Sequence, residues 1–409
     1  MTRLLWTAVG AGNLPAASRR KLAVVALLYF VEGSPVSVLW EVLPVYLRRE
    51  GASLAAIGGL RLLELPFSLK VLWSPLVQRF GDRRIWVTAC MGLAALAVMT
   101  LPLLDVRHPG LLLVLLLLLL TTASATQDIA IDGYTVGLVD PPERGAANGI
   151  RASAYRVALV LVGNGMVTLA EWVPWPRLFV VAGLLLAGLG LAALAVPRLD
   201  PVPEARRRWL SPFVGWIATW HAIPLIGVVL TYRLGEFALG PMAKPFWVDR
   251  GRSLAEIGLV PGTLGIALSI AGALAGGAFI TRWGVLTGAW ALGAPQALSN
   301  LGYAAVAAWD LPWPALYAAS MIDSFAGGLG TAAFLALLMS VCDREHATIQ
   351  YAFLASLFSL TGRLAGAASG LGAEGWGYAG YFAFTFVLSL PAFALLPWVA
   401  PWVREDGKG

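Results

Sequence analysis

Apolar residues run along this chain in tracts too long for the core of a soluble domain, and the polar residues collect between the tracts instead of alternating with them. GLLLVLLLLLLTTASA at 110–125 is the plainest case. A helix needs about 20 apolar residues to cross a bilayer. On that measure the pattern predicts twelve spans, at 21–46, 53–77, 84–104, 110–137, 145–171, 175–196, 212–247, 254–279, 284–308, 313–340, 347–370 and 377–402. All twelve are expected to be helices, because lipid leaves only helices and closed barrels with a satisfied backbone and the period-two alternation of barrel strands is missing. The first apolar run follows Arg19, Arg20 and Lys21 and is too long for the core of a cleaved signal, so it reads as the first span.

Composition strengthens this reading. Of 409 residues, 58% are hydrophobic and 13% charged, against about 45–50% and 25% in soluble domains. That excludes a disordered, fibrous or nucleic-acid-binding chain. The net charge of +6 is then assigned to cytoplasmic loops. With the amino terminus inside, sixteen Lys and Arg fall on the cytoplasmic face and six on the other, which predicts both termini in the cytoplasm. Cys90 and Cys342 are far apart, and His108, His221 and His346 are isolated, so no disulfide framework, metal or cofactor is expected.

PRLDPVPEARRRW at 197–209 is the one stretch that reads as a linker. It divides the chain into an amino-terminal bundle at 1–197, a cytoplasmic linker at 198–211 and a carboxy-terminal bundle at 212–409, six helices each. GASLAAIG at 51–58 returns as GRSLAEIG at 251–258, 200 positions later. A fainter echo links DPPERGA at 140–146 with DREHA at 343–347.

Charges inside the spans point to chemistry. Arg61, Lys70, Arg151, Arg156, Arg233, Lys244 and Arg363 lie within them, beside Glu32, Glu64, Asp128, Asp132, Glu236 and Asp323. Each would cost at least about 2.5–3.5 kcal/mol facing lipid at mid-depth, so they are expected to pair or to line a watery cavity. Glu32, Glu64, Arg156 and Asp323 fall 10 or 11 positions into their spans, near mid-membrane, which makes them candidates for one central cavity. Asp128 and Asp132, four apart, stack on one helix face. Close carboxylates in a low dielectric suit a proton-coupling site, while an ion pair of Asp132 with Arg151 is the structural alternative. Glu32 precedes Gly33, Ser34 and Pro35, a trio that weakens a helix and can free backbone groups beside a substrate. Tyr29, Tyr155 and Tyr232 each neighbour one of these charges.

TQDIAIDGYTVGLVDPPERGAANGIRASAYRVALVLVGNG at 126–165 resembles the muropeptide permease and acetyl-CoA transporter branch of the major facilitator superfamily. The likeness extends through LWSPLVQRFG at 72–81, YRLGEFALGPMAKPFWVDRGRSLAEIG at 232–258, SNLGYAAVAA at 299–308 and residues 323–366. It implies a fold of two six-helix bundles, a substrate site between them and proton-driven movement of bulky polar solutes, with Asp128 and Asp132 the acids that matter for transport. Two departures stand out. Gln78 replaces the usual Asp after SPL, so that the family's gating salt bridge is either absent or moved to Asp82, and GYTV after Asp132 departs from the common continuation.

The expectation is therefore an all-α, polytopic transporter, not an enzyme, acting as a monomer on a small-molecule substrate and protons in a bacterial inner membrane. Asp128, Asp132 and Glu32 are its expected proton-coupling residues. Arg61, Glu64, Lys70, Tyr155, Arg156, Arg233, Glu236, Lys244, Asp323 and Arg363 are the expected substrate contacts, and Asp82, Arg83, Arg84, Glu143, Arg144 and Arg151 the expected gate. A muropeptide permease is the leading reading, with export of a siderophore or other amphipathic metabolite, or acyl-CoA transport, as alternatives. No P-loop, HExxH or nucleophile-and-base pattern occurs.

Overall fold

A chain surrounded by lipid has to satisfy its backbone internally. In the computed structural model, which describes residues 15–79, 82–107, 110–140, 143–199, 222–342 and 347–403, it does so in helices, with no strand among the described residues. Nine of these helices are long and apolar enough to cross a membrane: Ala16–Arg49, Arg83–Leu103, Leu111–Leu138, Ala146–Leu169, Trp175–Leu194, Ile223–Asp249, Leu254–Trp283, Trp313–Ser340 and Phe353–Val399.

Three further expected spans are accounted for in other ways. The second, expected as one helix over 53–77, is broken into Leu54–Gly59, Leu65–Leu69 and Ser74–Arg79, joined by 3-10 turns. Pro66 and Pro75, which cannot donate a helix bond, sit in the first turns of two of these pieces. The ninth, Val285–Ala308, is a continuous helix whose apolar character is diluted by Gln296, Ser299 and Asn300. The eleventh and twelfth run on through the expected loop at 371–376 and separate only at Gly377, where φ is +67°. The seventh is interrupted at Tyr232 and Arg233, between Ala222–Thr231 and Leu234–Asp249. Its expected start at 212–221, most of the linker and the echo at 343–346 lie outside the described residues.

The chain divides into two units. One comprises Met1–Gly51, Leu63–Glu204 and Ser253–Gly258, the other Ala52–Leu62, Ala205–Arg252 and Leu259–Gly409. In the first unit, helix Ala16–Ser37 packs against Arg144–Ala158 and Leu111–Leu138, while Arg83–Thr100 packs against Trp175–Leu194. Gly33 permits the first of these contacts: a Cβ there would lie 2.9 Å from both the Tyr155 carbonyl and the Ala158 Cβ.

Proline and asparagine set the irregular turns of this unit. Pro44 cannot donate to the Trp40 carbonyl, and a π-helical turn at Val38–Val42 immediately precedes it. A second π-helical turn, Leu159–Asn164, ends on a buried Asn164 whose amide caps the Leu159 carbonyl at 3.3 Å. The second unit packs Gly265–Trp283 and Val285–Ala308 against Trp313–Ser340. Its core gathers Tyr232, Phe334, Leu337 and Leu396, with the Tyr232 hydroxyl donating to the Ala289 carbonyl at 2.7 Å.

Candidate functional site

Pro35 also builds the site. Lacking an N–H, it leaves the Val31 carbonyl without its partner four residues on, and the Gln127 amide donates to that carbonyl at 3.0 Å. The helix runs unbroken through Pro35 to Ser37. The backbone group freed by the Gly33-Ser34-Pro35 trio is therefore taken by another helix and is not left open beside a substrate, which corrects the sequence expectation. The same bond brings the residue before Asp128 to the turn that holds Glu32.

Glu32, Asp128 and Asp132 each place a carboxylate oxygen within 4.8 Å of the other two. Each has a different environment. Lys70 pairs with the Asp128 carboxylate through Oδ2. Asp132 Oδ1 accepts from the Tyr29 hydroxyl at 2.7 Å and pairs with Arg151 at 3.1 Å. Glu32 is 8% exposed, and its Oε2 is buried with no hydrogen-bond partner among the described residues. Arg151 also stands over the Tyr29 ring, 4.6 Å from its centre. With all three carboxylates ionised, Lys70 and Arg151 would leave the cluster one negative charge in excess.

Lys70 thus serves as a counter-ion to Asp128, where the sequence points it toward substrate, and Arg151 forms with Asp132 the ion pair that the sequence offers as an alternative to its place in the gate. Tyr155 lies in the electrostatic field of Glu32, Asp128 and Glu64 and meets Trp40 edge to face, with centroids 6.5 Å apart. Arg156, one residue on, is half-buried and has no hydrogen-bond or ion-pair partner among the described residues.

Expected residues in the second unit form a separate group. Arg233 grips Glu236 with two parallel bonds, the Nε contact at 2.8 Å, and Gln296 Nε2 donates to the same carboxylate at 2.5 Å. Asp323 Oδ1 accepts from Ser299 at 2.8 Å. Asp323 therefore belongs to this polar group of the second unit. Arg363 donates to Ser359 on its own helix. Lys244 is half-buried in Leu234–Asp249, and Arg61 packs its Cγ side toward Gly366.

At the expected gate, Asp82 caps the helix it precedes. Its Oδ1 accepts from the Arg84 N–H at 3.0 Å and its Oδ2 from the Arg84 guanidinium at 2.6 Å, with Arg198 at 3.6 Å. The Arg84 side-chain bond holds the Asp82 carboxyl below the usual carboxylate range. Arg84 in turn donates to the carbonyls of Leu194 and Val196, and Arg83 packs against Gly133. Glu143 is held below its usual range chiefly by the Ser18 hydroxyl, with Lys21 3.5 Å away. The side chains of Gln78 and Arg144 lie outside the described residues. Lys21, Ser18 and Arg198 were not singled out in the sequence, and only the basic run at 19–21 hinted at the first.

Comparisons with known proteins place this helical chain in a family. The description of the Major Facilitator Superfamily matches residues 25–230. The chain belongs to that family and is a multi-pass membrane transporter. The anhydromuropeptide permease of Escherichia coli K12 is 28% identical over 385 residues, covering 91% of this chain and 78% of that one. A Rickettsia felis protein designated AmpG 4 is 26% identical over 398 residues, covering 92% and 95%. Among solved structures, a bacterial homologue of the human lysosomal transporter Spinster superposes with a TM-score of 0.77 at 15% identity, covering 96% of this chain and all of the other. The nucleoside transporter NupG superposes with a TM-score of 0.67 at 12% identity. At such identities these two speak for the fold alone.

Proposed function

We propose that the chain is a proton-coupled permease for anhydromuropeptides in a bacterial inner membrane, monomeric and with both termini in the cytoplasm. The substrate class rests on its likeness to the Escherichia coli anhydromuropeptide permease over nine-tenths of its length. The coupling rests on one observation: three carboxylates meet within the expected spans, and among the described residues two cations pair with them. A single proton removes the remaining charge. Its arrival and departure change the cost of burying the cluster by a large fraction of what an unpaired charge in lipid costs, which gives the proton leverage over the transport cycle.

In this reading Asp128, Asp132 and Glu32 exchange the proton, with Lys70 and Arg151 as fixed counter-charges. Arg156, half-buried and without a hydrogen-bond or ion-pair partner among the described residues, takes a substrate carboxylate, and Tyr155 stacks beside it. Arg61, Glu64, Arg233, Glu236, Lys244, Asp323 and Arg363 add polar contacts, and Asp82, Arg83, Arg84, Glu143 and Arg144 hold the gate.

The test is uptake of labelled anhydromuropeptide into proteoliposomes with and without an inward-directed proton gradient. Accumulation is expected only with the gradient, and Asp128→Asn is expected to abolish it while the protein still elutes as a single folded species. Equal accumulation in the two conditions would overturn the coupling. Stabilisation of the purified protein by acyl-CoA or siderophores but not by anhydromuropeptides would overturn the substrate.

A further inference from the structure

We propose that the Glu32–Asp128–Asp132 cluster is a binding site for a monovalent alkali cation, Na+, which occupies the same place as the coupling proton. The inference rests on the transporter reading above and adds a second coupling ion to it. Three observations carry it.

The first is the set of oxygens left over. Lys70 takes Oδ2 of Asp128, and Tyr29 and Arg151 both take Oδ1 of Asp132. Those bonds leave Asp128 Oδ1 and Asp132 Oδ2 to the site, and Glu32 Oε2 is fully buried with no hydrogen-bond partner among the described residues. A buried carboxylate oxygen with no donor is costly. All three carboxylates have an oxygen to offer a ligand, and the most deeply buried of them has nothing else to bond.

The second is size and type. All-oxygen sites select hard cations. Two oxygens on opposite sides of an ion at about 2.3–2.6 Å, the range for Ca2+, are about 5 Å apart. Na+ is close to Ca2+ in radius, and one oxygen from each of the three carboxylates here lies within 4.8 Å of the other two. Mg2+, with oxygens at about 2.1 Å, would need a tighter cage.

The third is charge. With Lys70 and Arg151 in place the cluster carries a single net negative charge, so one monovalent cation neutralises it. A divalent ion would leave a positive excess inside the membrane, which lipid penalises as heavily as a negative one.

The experiment uses the full chain in detergent at pH 8 and constant ionic strength, with choline chloride exchanged for NaCl, KCl or CaCl2. Na+ is expected to raise Tm in a saturable way, by at least about 2 °C, and Glu32→Gln and Asp132→Asn should each abolish the rise. Glu374→Gln, which belongs to the other unit, should leave it intact. No rise with Na+, a larger rise with Ca2+, or a rise that survives in both cluster variants would each overturn the proposal. Should Glu32→Gln fail to fold, Asp132→Asn decides alone. Proteoliposome uptake at equal pH on both sides with an inward Na+ gradient separates the two readings. Uptake driven by protons but never by Na+ removes this inference and leaves the permease standing, whereas uptake driven by neither removes both.

Discussion

Lys70 and Asp128 show how a single pair can do two jobs. Asp128 is mostly buried, with a side chain 13% exposed, and Lys70 keeps 31%. Removing one partner of such a pair strands the other charge, which costs more than the pair contributes. Lys70→Met is therefore expected to lower Tm, and adding Asp128→Asn to it should restore part of the loss without restoring uptake. A double variant no more stable than the Lys70→Met single variant would show that the pair is not coupled. The Asp128 and Asp132 juxtaposition was legible in the sequence because four-residue spacing fixes a shared helix face. Glu32 was expected to share their role, but Lys70 as the partner of Asp128 was not legible, since it comes from another helix and no local pattern records which helices touch. Gln127 illustrates the reason: its partner is a backbone carbonyl freed by Pro35, 92 positions earlier in the chain.

Among elements, the repeat has the clearest structural counterpart. Gly51 and Gly251 adopt φ of +91° and +68°, a conformation side chains resist. Two residues later Ser53 and Ser253 cap the next helix, each accepting a backbone N–H at 3.1 Å. Both helix starts are further held by a distant acid in the same unit. Glu374 accepts from Ala55 N–H at 3.0 Å in one, and Glu171 accepts from Leu254 N–H at 2.7 Å in the other. These two acids are again about one repeat apart, and a carboxylate at a helix start is favoured by the backbone dipole. Ser53→Ala and Ser253→Ala are each expected to cost about 1 kcal/mol, read as a lowered Tm. Ser253→Ala should cost the more, because Glu256 completes a capping box there that Ala56 cannot supply. Equal losses would remove the distinction. The glycines and serines were readable as a repeat, but the acids were not, because capping by a residue over 80 positions away depends on packing alone. The π-helical turns went unread for a similar reason: proline marks where a bond is lost, and how the chain rearranges around it is settled by its neighbours.

Across the whole molecule, hydropathy placed the spans well because lipid imposes one length and one kind of backbone on each of them. It failed where polarity or proline blurs that demand, as in the broken second span and at Gly377. The junctions between spans follow a different physics, and two of them make the stability of the first unit depend on acidity. Asp82 ties the start of Arg83–Thr100 to Arg84 and Arg198, and Glu143 ties the turn before Arg144–Ala158 to Ser18 and Lys21. Both acids titrate below their ordinary values in the folded protein, Asp82 chiefly through the Arg84 side chain and Glu143 chiefly through the Ser18 hydroxyl. A depressed folded value means that the unfolded chain binds the proton more readily. Each contribution is therefore complete above the ordinary carboxylate range, near pH 5 and higher, and disappears as the pH falls through the lower folded values. Combining Asp82→Asn with Glu143→Gln should lower Tm at pH 7 and flatten the acid limb of the Tm profile, since the amides no longer respond. The variant and parent curves should converge as the pH approaches 3. Parallel curves with a constant offset from pH 7 to pH 3 would mean that these carboxylates hold the junctions by shape and hydrogen bonding, with no contribution from their charge.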